Sequence, residues 1–153
     1  MQVQDVMSTP AVCCSIDATL DVAARLMWEA DCGAIPVVDR DGRLAGILTD
    51  RDICMACYTQ GKRPSDIGVV SVMAQDVVTS RPDDSLEMLE RVLGQHQVRR
   101  VPVVDETKRP IGVISMNNLA RHAASVNDGM DHALVATMAA ICEPRRLYSA
   151  VAE

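Results

Sequence analysis

The chain has 153 residues and a mass of 16.6 kDa, enough for one compact domain or two intimately packed halves but not for a large catalytic domain with its own regulator. Lys and Arg number 15 against 21 Asp and Glu, so the net charge is −6 and the surface lacks the basic field that nucleic-acid binding requires. Apolar residues make up 48% of the chain, and with no Phe and only Trp28, Tyr58 and Tyr148 as aromatics the core is aliphatic and rich in methionine.

Met1 to Pro10 carries neither a basic start nor an apolar signal stretch, and no apolar run approaches the roughly 20 residues of a membrane span, so a soluble cytoplasmic protein is expected. Val12 to Ile16 reads as a short strand. From Thr19 to Met27, Leu20, Ala23, Ala24 and Met27 fall on one stripe of an amphipathic helix. Ile35 to Val38 and Leu44 to Leu48 are apolar runs joined by the polar turn Asp39 to Gly42, which predicts a hairpin, and Thr49 opens another helix. Gln60 to Asp66 reads as a linker. The same order follows: strand Val77 to Thr79, helix Ser85 to Gln95, strands Val101 to Val104 and Ile111 to Ile114 about a turn at Asp105 to Pro110, and a helix from Ser115. Asp128 to Cys142 carries Met130, Leu134, Met138 and Ile141 at helical spacing before Pro144 stops it, a tail helix that either docks on the chain or serves a dimer.

Shifting the sequence by 66 residues aligns Val6-Met7 with Val72-Met73, Ile35 to Asp39 with Val101 to Asp105, and Gly46 to Thr49 with Gly112 to Ser115, with no gap. Positions 3 to 56 share 13 identities with positions 69 to 122, where unrelated segments would share about three. The chain is a tandem repeat of a β-α-β-β-α unit. Each unit is too small to bury its own apolar faces, so the two are expected to pack with pseudo-two-fold symmetry as an α+β fold of α/β type, divided into repeat 1 (1–60), a linker (61–68), repeat 2 (69–125) and a C-terminal helix and tail (126–153).

Few residues offer catalytic chemistry. His96, His122 and His132 stand apart, with no spacing suited to a metal, and no nucleophile elbow, phosphate loop or dinucleotide fingerprint is present. Cys13, Cys14, Cys32, Cys54, Cys57 and Cys142 are scattered through apolar segments and are expected to be reduced; the Cys54-x-x-Cys57 pair lies inside a helix, away from the N-terminus that would stabilise a thiolate. Asp39 and Asp105 begin matching turns, a capping role. Thr49-x-x-Asp52 is itself a capping box, with the hydroxyl and carboxylate satisfying free backbone N–H groups at the helix start.

With V-M at the start of each unit, h-P-V-V-D in its middle and G-h-h-[T/S]-x-x-[D/N] at its end, the segment from Val3 to His122 resembles the pair of CBS domains known as a Bateman module. That resemblance implies a disc-like module whose cleft binds an adenine-containing ligand such as AMP, ADP, ATP, S-adenosylmethionine or NAD(H). It assigns a site A to Gly46, Thr49, Arg51 and Asp52 with Val78, Arg99 and Arg100 from the opposite unit, and a weaker site B to Gly112, Ser115 and Asn118 with Val12, Cys32, Gly33 and Ala34. At site A the Asp52 carboxylate suits both ribose hydroxyls, Thr49 at a helix start suits a phosphate, and the three arginines supply positive charge. Gly46 leaves room for the ligand, and Val78 and Ile53 would sandwich the base. Asn118 is neutral and makes site B the poorer one. The expected function is a non-catalytic ligand-sensing module, needing no cofactor, that homodimerises and signals to a partner enzyme or transporter without contacting nucleic acid or membrane. AMP, ADP or ATP is the first expectation for the ligand; the alternatives are NAD(H) or S-adenosylmethionine in its place, or a constitutive dimerisation or docking module with no ligand.

Overall fold

The computed structural model describes residues 1–125 and 132–142. In the first repeat, β1 (Cys14–Ser15) runs parallel to β2 (Ala34–Val38), which pairs antiparallel with β3 (Leu44–Thr49) in the register Ile35 to Leu48 and Val37 to Gly46. Helix α1 (Leu20–Glu29) buries Leu20, Ala23 and Met27 beneath this sheet, while α2 (Asp50–Gln60) buries Ile53 and Ala56 and ends at Gly61, whose φ of 62° is left-handed. The second repeat has α3 (Leu86–His96), β4 (Arg100–Val104), β5 (Pro110–Ser115) and α4 (Met116–Ser125), with Val101 opposite Ile114 and Val103 opposite Gly112. Both hairpins bulge at the same place, between Val37 and Val38 and between Val103 and Val104.

The mixed helix and strand architecture agrees with the α+β expectation. One element differs: the strand expected over Val77 to Thr79 is reduced to a single parallel bridge between Ser80 and Val103. The Ser80 side chain and the Arg81 N–H both turn to the Asp84 carboxylate, at 2.8 and 2.7 Å, which curls the chain into the start of α3 before a strand can extend. The matching Asp turns form as read, with Asp39 Oδ1 accepting from the N–H groups of Asp41 and Arg43 and Asp105 Oδ1 from those of Thr107 and Arg109. The Asp105 carboxylate is held below its ordinary pKa by those N–H groups and by the Thr107 hydroxyl.

The repeats are joined by a reciprocal exchange. Val3, with Val6 and Met7, packs into the core of the second repeat, and Val69 and Met73 pack into that of the first. Val3 N–H donates to Asp84 O (2.9 Å) and Ser8 pairs with Val113, while Val69 N–H donates to Ala18 O (2.9 Å) and Ala74 pairs with Ile47. Each unit therefore completes its core with a segment of its neighbour, which a unit of this size cannot do alone.

Helix α5 (His132–Cys142) lies on α3, where Leu134 and Ile141 join Leu89 and Leu93 in the core. At Gly94 a Cβ would stand 3.6 Å from Cβ of Ala140, an ordinary contact, and the Ala140 carbonyl accepts from Gln97 Nε2 at 3.3 Å. The tail helix thus docks within the chain through Leu134 and Ile141, and Met138 is exposed. Met130 and Pro144, the rest of that expected helix and its stop, lie outside the described residues, as does the segment from 126 to 131.

Candidate functional site

At the start of α2 the capping box is formed. Thr49 N–H and its hydroxyl donate to Asp52 Oδ2 at 2.9 and 2.7 Å, and Asp52 N–H donates back to Thr49 Oγ1 at 3.2 Å. The Asp52 carboxylate is thereby turned to its own helix through one oxygen, and among the described residues nothing engages the other. Arg51 is exposed and uses its N–H on Asp50 Oδ1. Arg99 is also exposed, and Val78 is half-buried against the second core.

At the start of α4 the same geometry carries a different load. Ser115 N–H and hydroxyl donate to Asn118 Oδ1 at 3.1 and 2.5 Å, and Asn118 N–H returns to Ser115 Oγ at 3.4 Å. The amide nitrogen of Asn118 then donates to Val6 O at 3.1 Å and to Ser8 Oγ at 3.0 Å. Asn118 is 6% exposed and staples α4 to the exchanged N-terminal segment. In the first repeat Ala74 stands where Ser8 stands in this one, so an amide in place of Asp52 would lose one of these two acceptors.

The glycines of the motif serve that exchange. A Cβ on Gly46 would lie 2.6 Å from Met73 Sδ and 2.8 Å from Ala74 O, and one on Gly112 would lie 2.6 Å from Met7 Sδ and 2.9 Å from Ser8 O. The room expected for a ligand at Gly46 is taken by the crossing segment.

Two cavities flank the Asp31 to Gly33 loop. The first, of about 650 Å³, opens between the repeats, and of the residues grouped as site B it is lined by Val12, Cys32, Gly33, Ala34, Ser115 and Asn118, but not by Gly112. The second, of about 630 Å³, lies on the outer side of the loop among Met27, Trp28, Ile53, Cys54 and Cys57. Gly46, Thr49, Arg51, Asp52, Val78 and Arg99 line neither. Ile53 lines the second cavity, away from Val78.

Arg100, grouped with site A in the sequence, is placed elsewhere. Its Nη1 donates to Gly33 O at 3.2 Å, it faces Ser115 across the hairpin, and its side chain lines both cavities. The reason is strand register: β4 begins at Arg100 and presents it toward the loop that leads into β2 of the other repeat. Sequence reasoning missed Ser8, Thr9, Asn117 and Arg121 on the 650 Å³ cavity. Arg121 was legible, because it stands three residues after Asn118 on a helix and so shares its face. Ser8 and Thr9 follow the V-M motif directly.

Arg100 and Arg121 both line this cavity, near the N-terminus of a ten-residue helix, a setting that favours an anion. Asp31 lines it too, and the second cavity as well. The thiols of Cys13 and Cys14 are pushed up in pKa by burial and are poor nucleophiles. Among the described residues no group of three or more His, Cys, Asp or Glu is arranged to hold a metal, and no helix is long and apolar enough to cross a membrane.

The CBS domain family profile matches residues 3–58 and 69–125. Over 146 residues, covering 95% of this chain and 97% of the relative, the sequence is 34% identical to Hypoxic response protein 1 of Mycobacterium tuberculosis. A crystal structure of Hypoxic Response Protein I with two coordinated zinc ions superposes with a TM-score of 0.72, covering 80% of this chain and 98% of that one at 34% identity. A crystal structure of CBSX2 in complex with AMP superposes at 0.69, covering 82% and 97% at 25% identity. Two matched repeats in one exchanged fold, with the motifs on which the resemblance rested at corresponding places, show that this chain belongs to the CBS domain family as a tandem pair.

Proposed function

We propose that this chain is a non-catalytic regulatory module of the cytoplasm that takes an adenine nucleotide, AMP, ADP or ATP, into the cleft between its repeats and transmits occupancy to a partner enzyme or transporter. The observation that carries the reading is the 650 Å³ cavity walled by both repeats, with Arg100 and Arg121 beside the first turn of α4. Its volume lies within the range of small-molecule sites, and the two cations answer a phosphate. The AMP bound by CBSX2 supports the ligand class. Site B thus takes first place over site A. Asp52, with its second carboxylate oxygen unengaged, stays with Thr49, Arg51, Arg99 and Val78 as the weaker candidate, since none of them lines either cavity and the crossing segment fills the room beside Gly46.

A ligand touching both repeats binds one relative orientation better than another and so shifts their population, which a partner reads. Thermal melting with millimolar AMP, ADP, ATP, NADH and S-adenosylmethionine tests the reading, since a ligand at 100 times its Kd adds about 2.7 kcal/mol of stability. An upward shift with the adenine nucleotides that Arg100→Ala diminishes is the expected result. Flat melts with every ligand would leave the docking reading, and a response to NADH or S-adenosylmethionine alone would reassign the ligand.

One observation favours self-association as well. Trp28 is 87% exposed and Tyr58 80%, on α1 and α2, with the 630 Å³ cavity beside Trp28. Large exposed aromatics mark an interface, and a homodimer through this face would cover them. Sedimentation of the Trp28→Ser, Tyr58→Ser double variant as a monomer against a dimeric parent tests it; a monomeric parent would remove the homodimer.

A further inference from the structure

We infer that the groove between α1 and α2 is the seat of a helix, and that its occupant is the outward flank of α5 from a second copy of this chain. This rests on the homodimer reading above and names the contact within it. The repeat locates the seat. In the second repeat α5 places Leu134 and Ile141 in one cluster with Leu93 of α3 and Leu119 of α4, and Ala123 packs against that cluster. The residues 66 positions earlier are Met27, Ile53 and Cys57, and all three line the 630 Å³ cavity. The helix ends correspond as well, since Asp31 and Gln97 are both left-handed, with φ of 48° and 51°. One groove is filled by the chain's own helix, and its counterpart is open.

The open groove is apolar along its helices. Its polar lining gathers at the Gly33 loop, where a Cβ on Gly33 would stand 2.8 Å from Asp50 Oδ2 and 3.1 Å from Arg100 Nη2. That leaves Met27, Trp28, Ile53, Cys54 and Cys57 as a trough of the kind that takes the apolar face of a helix. Trp28 stands at the position of Gly94, so its exposed indole walls the groove and can close over an occupant.

Helix α5 has the matching chemistry. Of its eleven residues only His132 and Thr137 carry nitrogen or oxygen in their side chains, and Thr137 is buried. Val135, Ala136 and Met138 are exposed, so the described outward residues of α5 are all apolar, the pattern of a helix covered on every side. Because α5 is held on α3 of its own chain, the groove of the first repeat is filled from another copy. Two copies related by a two-fold axis make the contact twice and leave neither surface open.

The test joins sedimentation of the full chain to cross-linking. Val135 and Met138 are 45% and 47% exposed, so the Val135→Asp, Met138→Asp double variant is expected to keep its helical circular dichroism and to weaken the dimer roughly tenfold or more. Met138→Cys, oxidised with diamide, is expected to give a covalent dimer in which mass spectrometry finds position 138 of one copy linked to Cys54 or Cys57 of the other. A parent dimer that the double variant leaves intact overturns the inference while the homodimer stands. A dimeric Met138→Cys protein that yields no link to Cys54 or Cys57 overturns it too. If the double variant loses its helical signal, the cross-link decides alone. A monomeric parent removes the homodimer and this contact with it.

Discussion

The guanidinium of Arg100 reaches the carbonyl of Gly33 at 3.2 Å across 67 residues of sequence, and that same carbonyl accepts the N–H of Asp50, also at 3.2 Å. One backbone oxygen thus gathers β4 of the second repeat, the loop before β2 and the first turn of α2. Because Asp50 remains, removal of the guanidinium does not orphan the carbonyl. Arg100→Ala should therefore lower stability by about 1 kcal/mol, the ordinary worth of one hydrogen bond, read as a shift in the urea midpoint at unchanged slope. A loss beyond about 3 kcal/mol would mean that Arg100 holds the repeats together and is not chiefly a ligand group.

Gly46 and Gly112 should tolerate alanine badly. The added methyl meets a backbone carbonyl at 2.8 or 2.9 Å, and each carbonyl is pinned, Ala74 O by the Ile47 N–H and Ser8 O by the Val113 N–H. Overpacking of this kind costs about 1–3 kcal/mol, so each variant should melt lower by a similar amount. A neutral Gly46→Ala would show that the crossing segment can withdraw.

Asn118 and Asp52 occupy equivalent positions but should differ in cost. Asp52→Ala removes a capping box at a half-buried helix start, worth about 1 kcal/mol. Asn118→Ala removes the same kind of cap and, in addition, the two bonds that the buried amide makes to half-buried Val6 and exposed Ser8, and should cost about 2 kcal/mol. Chemical denaturation of both variants gives the order, and equal losses would deny Asn118 its stapling role.

Acid should weaken the second hairpin through Asp105. Its folded pKa lies below its unfolded value, so its contribution is full above the ordinary carboxylate range and is lost as pH falls through the lowered value. Unfolding measured at neutral pH and again below about pH 3 should show Asp105→Asn less stable than the parent at neutrality, with the gap closing in acid. A gap independent of pH would mean that the turn depends on the shape of Asp105 and not on its charge.

The repeat, the order of its elements and the chemistry of its turns and helix starts were legible in the chain itself. They rest on interactions within a few residues: Asp39 and Asp105 cap turns two and four residues on, and Thr49 and Asp52 lie three apart on one helix turn. Periodicity also placed Leu134 and Ile141 on the face that α5 buries.

What the chain alone did not decide was which surfaces meet. The exchange of the Val3 to Ser8 and Val69 to Ala74 segments turned Gly46 and Gly112 from openings into crossing points, and strand register carried Arg100 to Gly33 instead of to Thr49 and Asp52. The difference between Asp52 and Asn118 is a single amide in the sequence, but its consequence depends on Val6 and Ser8 arriving from 112 and 110 residues away. Local spacing constrains neighbours within a turn or a strand; contacts at such separations are set by how two small cores complete one another, and only the folded chain records that.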